Sequence, residues 1–324
     1  MLKAELDALK ATNAQNIKDA VAIRDALRAS ATAATRVVTS LQAYAAVLAK
    51  IVPEAEPVPT PVPTPVPTPV PTPGGNVLWA DNIQTEADWL KWGFYPVCEN
   101  HINGVQSIPS GTLGSDAAGA SLSRVRDPAG GTGWAIRHFI NMQAPDNYAR
   151  AQFSLASWTN PAFGAQLAKG EVWIEQEVFI PAPLPAAGDA SAWMSLQDFH
   201  VHNADGSQWL HTWPGMFLGS PAVNNCPAGR LISRASNVFS QPSTQAVPVG
   251  RWFKLQTHYP WSASAVPVTY YIDGVQVAQI TMVTRPDNQT QLEFYAKLYA
   301  GGTWSPKPLI RYTRNVRIGD GLMR

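Results

Sequence analysis

Residues 57–72 read PVPT four times over, and no compact core can carry such a segment through its middle. Proline locks its own φ and lacks a backbone N–H, so an alternating proline run prefers an extended polyproline II rod without internal hydrogen bonds. At about 3.1 Å per residue, roughly twenty residues reach on the order of 60 Å. The run therefore separates two unlike parts. Before it lies an alanine-rich stretch without tryptophan, and after it lies a segment holding all 12 tryptophans. The expected organisation is a helix over 1–52, a Pro-rich linker over 53–75 that ends in the joint Gly74-Gly75, and a globular head over 76–324. A run lying between two ordered parts reads as a spacer ahead of its rival, a ligand for proline-binding modules.

The first 52 residues carry an unbroken heptad. Taking position a as Leu6, Asn13, Ala20, Leu27, Ala34, Leu41 and Leu48 puts Leu2, Leu9, Asn16, Ile23, Ser30, Val37, Tyr44 and Ile51 at d. Sustained apolar a and d positions predict a coiled coil, and polar layers such as Asn13 and Asn16 help to set register and oligomer number. A lone helix of this length has no core of its own, so it must self-associate or dock. A parallel homotrimer is expected ahead of a dimer, on the stalk, rod and head architecture. Pro53 stops the helix.

Charge excludes some partners. The formal net charge is +1 and charged residues make up 15%, with no basic stripe of the kind nucleic acid requires. No apolar run is long enough for a membrane span. The N-terminal MLKAELDALKATNAQ lacks an apolar signal region, so the expectation is synthesis in a host cytoplasm, with exit by assembly or lysis. Cys98 and Cys226 are too few and too far apart for a disulfide scaffold. They read as two free thiols, with a bridge as the alternative. The spacing of Cys98 and His101 has no second pair to complete a zinc site.

The head reads as short strands separated by Gly, Pro, Asn and Asp. Strands are expected at 149–156, 171–180, 193–202, 252–258, 268–272, 275–281, 292–300 and 309–318, with Asp273-Gly274 as a hairpin turn. Helical periodicity is nearly absent. The predicted fold class is therefore mainly β: a β-sandwich or jelly roll.

Several segments carry a resemblance through their order: VLWADNIQTEADWLKW, NYARAQFSL, GEVWIEQEVFIPAPLP, WMSLQDFHVH, RWFKLQTHYPW, VTYYIDGVQV, LEFYAKLYAGG and RYTRNVRIGDG. Across nearly all of 76–324 the head resembles the concanavalin-like jelly-roll domains of polysaccharide lyases, of the alginate-lyase and heparin-lyase type. The resemblance implies two curved antiparallel sheets and a concave face that holds a sugar chain. A uronate lyase must neutralise the substrate carboxylate, remove the proton on C5 and protonate the leaving oxygen. Arg150 and Gln152 match the family's Arg-x-Glu pair, with Gln for Glu. Gln197 and His200 stand for its Gln-x-His strand but are three apart, so a bulge is needed to align them. His200, His202 and Asp198 share a face. Tyr295, Lys297 and Tyr299 match the start of its third motif, while Gly301 stands where the family has its proton-transferring tyrosine. The implied glycan-binding set is Arg150, Gln152, Gln197, His200, His202, Tyr295, Lys297 and Tyr299. The implied catalytic set, if there is catalysis, is His200, Tyr295, Arg150 and Gln152. No other cofactor is implied beyond a calcium ion near Asp81, between the first and last strands.

Each of these residues also has a purely structural reading as a surface cation, a solvated histidine or sheet packing. Glu175 and Glu177 share a strand face, and Trp209, Trp213 and Trp304 lie in loop-like segments where they either stack on sugar or fold back onto the core. Three functions follow as expectations. The first is a bacteriophage fibre or spike protein on the virion surface, not an enzyme. Its helix attaches to a capsid or tail protein, and its head adheres to a surface polysaccharide. The second is a polysaccharide lyase acting by β-elimination. The third is a capsid decoration protein that binds no glycan. Gln152 and Gly301 tilt the balance from catalysis toward binding.

Overall fold

A computed structural model describes residues 74–84, 95–102, 105–106, 108, 111–141, 148–189, 192–204, 209–210, 215–219, 224, 226–235, 238–286 and 289–323. The expected coiled coil, the PVPT run and Trp213 lie outside them. The chain divides into two units, Met1–Thr68 and Pro69–Arg324, and the description here is of the second.

That unit is a sandwich of two nine-stranded antiparallel sheets. One sheet runs, in spatial order, Val275–Met282, Val266–Ile272, Trp252–Pro260, Glu171–Phe179, Leu309–Gly319, Trp134–Ile140, Ala120–Arg126 and Gly114–Ser115, with Val77–Ala80 added against Leu309–Gly319. The other runs Val238–Phe239, Leu231–Ala235, Gly215–Leu218, Trp193–Asn203, Gln289–Gly301, Tyr148–Ala156, Tyr95–Ile102 and Val105–Gln106, with Trp209–Leu210 added against Trp193–Asn203. The first is called here the rear sheet and the second the front sheet.

Alternation explains why these segments are strands. In Tyr148–Ala156 the buried Ala149, Ala151, Phe153 and Leu155 belong to the core, and Arg150, Gln152 and Ser154 point the other way. In Gln289–Gly301 the buried Leu292, Phe294, Ala296, Leu298 and Ala300 belong to the core, which turns Glu293, Tyr295, Lys297 and Tyr299 outward. The Asp273-Gly274 turn has φ of 50° and 80°, the left-handed pair that a two-residue hairpin requires. A short helix, Pro161–Ala168, escapes a reading by periodicity. Asn160 caps it by accepting from Phe163 N at 3.0 Å, and Pro161 opens its first turn. Cys98 and Cys226 are free and buried.

The interior also holds a polar layer that alternation does not announce. Arg311 is 1% exposed. Its guanidinium donates to the carbonyls of Leu196 and Lys297, to Gln176 Oε1 and to Thr313 Oγ1. Gln176 donates to Gln197 Oε1 at 2.7 Å, and Gln197 donates to Thr257 Oγ1 at 2.6 Å. His138 closes the layer, with Thr313 on one ring nitrogen and the Ala151 carbonyl on the other. Burying a guanidinium costs several kcal/mol unless hydrogen bonds compensate it. Here the layer ties the rear sheet to three adjacent strands of the front one, through Leu196, Lys297 and Ala151.

Candidate functional site

Three adjacent front strands build the outward face. Gln289–Gly301 lies between Tyr148–Ala156 and Trp193–Asn203. The register sets Lys297 opposite Gln152, Tyr299 opposite Arg150, Tyr295 opposite Asp198 and Glu293 opposite His200. Sheet register thus gathers Arg150, Gln152, His200, His202, Tyr295, Lys297 and Tyr299 on one face. It does not bring Gln197 there. The anticipated bulge exists, between Ser195 and Gln197. It turns Gln197 into the sandwich interior, onto Gln176 and Thr257. Asp198, two residues before His200, takes the outward place instead.

The cations on this face are already engaged. Arg150 makes a paired contact with Glu99, Nε to Oε2 at 2.8 Å and Nη2 to Oε1 at 2.6 Å. Lys297 is 4% exposed and forms a close ion pair with Asp198 Oδ2. Burial alone would push the Asp198 carboxyl up, but Lys297 and His200 beside it prevail and hold it below the usual carboxylate range. Burial pulls the Lys297 ammonium below its ordinary value, with Asp198 opposing. Lys297 is therefore neither a snorkelling surface lysine nor a free anion hook.

The tyrosines are proton donors. Tyr295 Oη donates to Glu293 Oε2 at 2.6 Å. Burial, and then the Glu293 charge and this hydrogen bond, raise the phenol far above its usual range. Burial pushes Tyr299 up to about 12, with Arg150 opposing. Neither can act as a base near neutral pH. Glu293 itself is pushed up by burial, yet His202, Ser154 and Tyr295 around it leave it below the ordinary glutamate value.

Aromatic rings line the rest of the face. Trp193 meets the Tyr299 ring edge-on at 4.6 Å, and Tyr148 meets it at 5.8 Å. Arg150 and Lys297 lie over the Tyr299 ring at 5.7 and 5.1 Å. The His200 ring is 4.4 Å from that of Tyr295. A Cβ at Gly301 would fall 2.5 Å from Trp193 Nε1. Trp193 thus occupies the space beside Gly301 that a side chain there would need, and a tyrosine at 301 cannot coexist with this indole.

Among the described residues, buried polar atoms of this face without a hydrogen-bond partner include Gln152 Oε1, Asp198 Oδ1 and His202 Nε2. The first two are acceptors, and an unmet buried acceptor costs about 1–3 kcal/mol. Sequence reasoning missed Glu99, Glu293, Tyr148 and Trp193. Of these, Glu293 was within reach, because it stands two residues before Tyr295 on the same strand.

The other expected residues are placed elsewhere. Asp81 does lie against the last strand. Its Oδ2 accepts from Val316 N at 2.6 Å and its Oδ1 from Ile83 N at 3.3 Å, which makes it a backbone clamp. Glu175 and Glu177 are on the rear sheet, ion-paired to Arg317 and Arg314. Trp304 folds back, 1% exposed, and donates to the Gly301 carbonyl. A groove of about 500 Å³ opens on the rear face, lined by Trp252, Lys254, Gln256, Asp273 and Met323. Its ionic groups are largely paired with one another, as Arg251 is with Asp273 and Lys254 with Glu175. The chemistry places the candidate site on the front face.

No family model and no curated protein matches the chain. Solved structures do. A carbohydrate esterase from Shiga toxin-encoding bacteriophage phi24B is 14% identical, with 76% of this chain and 99% of the other covered and a TM-score of 0.42. A β-glucanase catalytic domain from Podospora anserina is 14% identical, with 76% and 97% covered and a TM-score of 0.45. An alginate lyase of polysaccharide lyase family 7 is 10% identical, with 69% and 93% covered and a TM-score of 0.38. At these scores none of them bears on what this chain does.

Proposed function

We propose that the front face binds a polysaccharide and that the chain presents it as the head of a fibre-like virion protein. The observation that carries this reading is the pairing of Trp193, Tyr148 and Tyr299 with the unmet acceptors Gln152 Oε1 and Asp198 Oδ1. A sugar ring offers apolar C–H faces to aromatic rings and hydroxyl donors to acceptors. Because Arg150 and Lys297 already hold carboxylates, the face suits a neutral or weakly charged glycan better than a polyuronate. The heptad of 1–52 supplies a homotrimer and its attachment to a capsid or tail protein, and the PVPT rod supplies reach. Three heads on one stalk raise weak single-site affinity by avidity.

A glycan array probed with the full-length protein tests the reading. Retention of a defined glycan class, lost in Trp193→Ala, is the expected result. Silence across the array would leave the decoration role in its place. A second reading, β-elimination, is favoured by the packing of the His200 and Tyr295 rings, 4.4 Å apart on the outward face. Incubation with alginate, glucuronan and heparin, following the ultraviolet absorbance of unsaturated ends, decides it. An unchanged absorbance with all three polymers would exclude uronate lyase activity on them.

A further inference from the structure

His200 and His202 leave the same side of Trp193–Asn203, because residues two apart on a strand share a face. Glu293 stands directly opposite His200 on the neighbouring strand. The fold thereby gathers two imidazoles and a carboxylate whose donor atoms all lie within 4.8 Å of one another. His202 Nε2 is 3.1 Å from Glu293 Oε2. The two are not aligned as a hydrogen bond, and the nitrogen is buried without a hydrogen-bond partner. An imidazole nitrogen and a carboxylate oxygen so close together share either a proton or a cation, and the poor alignment for a proton leaves the cation.

We infer that His200, His202 and Glu293 form a binding site for one divalent first-row transition ion of the zinc class. The donor set selects that class. Calcium and magnesium take oxygen ligands, whereas two imidazoles with one carboxylate suit zinc, copper, nickel or cobalt. Ligands at about 2.1 Å from a tetrahedral ion stand about 3.4 Å apart, so the observed spacing needs only small side-chain rotations. Three protein ligands leave a coordination position open, and both histidines keep 13% of their side-chain surface exposed as an entry path.

The surroundings fit ligand residues. Tyr295 Oη donates to Glu293 Oε2 at 2.6 Å, and Asp198 Oδ2 lies 3.5 Å from His200 Nε2. Such outer contacts orient ligands and tune the metal. Trp158 packs edge-on against the His202 ring at 5.1 Å, and Tyr295 packs against His200 at 4.4 Å. The other histidine–carboxylate pair, His258 with Glu171 at 2.7 Å, is an ordinary hydrogen bond with no third donor among the described residues. This inference stands on the donor geometry and does not depend on the glycan reading.

The test uses full-length protein stripped with a chelator and desalted. Calorimetric titration with zinc chloride should give one equivalent per chain, and copper(II) should give a paramagnetic resonance spectrum split by two imidazole nitrogens. His202→Gln should remove the equivalent, Glu293→Gln should weaken it, and Tyr295→Phe should weaken it by about tenfold. His258→Ala should retain it. Circular dichroism reports whether each variant folds, and the copper spectrum of the unaltered chain carries the test if one does not. Absence of bound metal in the folded unaltered protein overturns the inference. So do a spectrum with fewer than two nitrogen ligands and full uptake by a folded His202→Gln.

Discussion

The two outer faces of the sandwich use similar residues to opposite ends. On the rear sheet, Arg314 contacts both Asp127 and Glu177, Arg317 contacts Glu175, and the Arg314 guanidinium stacks on Trp252 at 4.0 Å. That charge network is closed and partly open to water. On the front sheet the Lys297–Asp198 pair is buried on both sides, at 5% and 3% side-chain exposure, and Gln152, Asp198 and His202 keep atoms that no protein partner meets. A closed network needs nothing further. Unmet polar atoms beside aromatic rings are the observation on which the proposal of a glycan-binding face rests. Among the described residues the rear face has one such atom, Gln256 Oε1, and the Gln256 amide is anchored on the other side by the Met323 carbonyl.

The largest expected difference concerns stability. Lys297→Ala leaves Asp198 buried without its partner and should cost about 3–5 kcal/mol, whereas Arg314→Ala, at a 20% exposed side chain that leaves Asp127 its hydrogen bonds from Trp252 and Ala129, should cost less, about 1–2 kcal/mol. Urea denaturation of the two variants measures both. Equal losses would erase the contrast between the faces. Lys297→Met with Asp198→Asn should recover part of the loss, since it removes both charges.

pH separates the sheets next. Burial raises the Asp81 carboxyl to about 6, against the opposing amides of Val316 and Ile83. A carboxyl that holds its proton more tightly when folded stabilises the protein below its unfolded pKa, near 4, and that contribution is lost as pH rises through about 6. A shift of about two units corresponds to at most about 3 kcal/mol. Asp81→Asn should flatten this part of the stability profile between about pH 4 and 6. A profile that parallels the unaltered protein would show that the carboxyl titrates normally.

Binding should separate them again. Trp193→Ala on the front face should weaken glycan affinity by about tenfold, the worth of one aromatic contact. Trp252→Ala on the rear face should leave affinity unchanged. The reverse result would move the site to the rear groove. The smallest effect is expected from Gly301→Ala. Its methyl group displaces the Trp193 indole and should cost about 1 kcal/mol in thermal stability and a few-fold in affinity. Retained affinity would mean that the indole is not a binding surface.

Much of the head was legible before any coordinates. The strands anticipated from 149, 171, 193, 252, 268, 275, 292 and 309 onward are all present, with ends that differ by a few residues. Period-two alternation of apolar residues reports a sheet with one buried face wherever it occurs. The same alternation put Arg150 with Gln152, and Tyr295 with Lys297 and Tyr299, on common faces. It failed at Gln197 because a bulge shifts parity by one residue, and nothing local in LQDFH marks where the shift falls. It was silent about Glu99, which meets Arg150 only because Tyr95–Ile102 pairs with Tyr148–Ala156. The helix Pro161–Ala168 was missed because eight residues are too few for a period to show.

The sequence by itself determined the β character of the head and set the expectation of a division at the proline run. Both depend on short-range rules: what proline forbids to its neighbours, and which side of a strand each residue takes. Tertiary structure alone decided which charges became partners, that Arg311 would be the interior cation and that His200, His202 and Glu293 would meet. Those outcomes depend on strand order and register, which join residues about ninety positions apart, and on burial, which turns an ordinary surface pair into a demanding one.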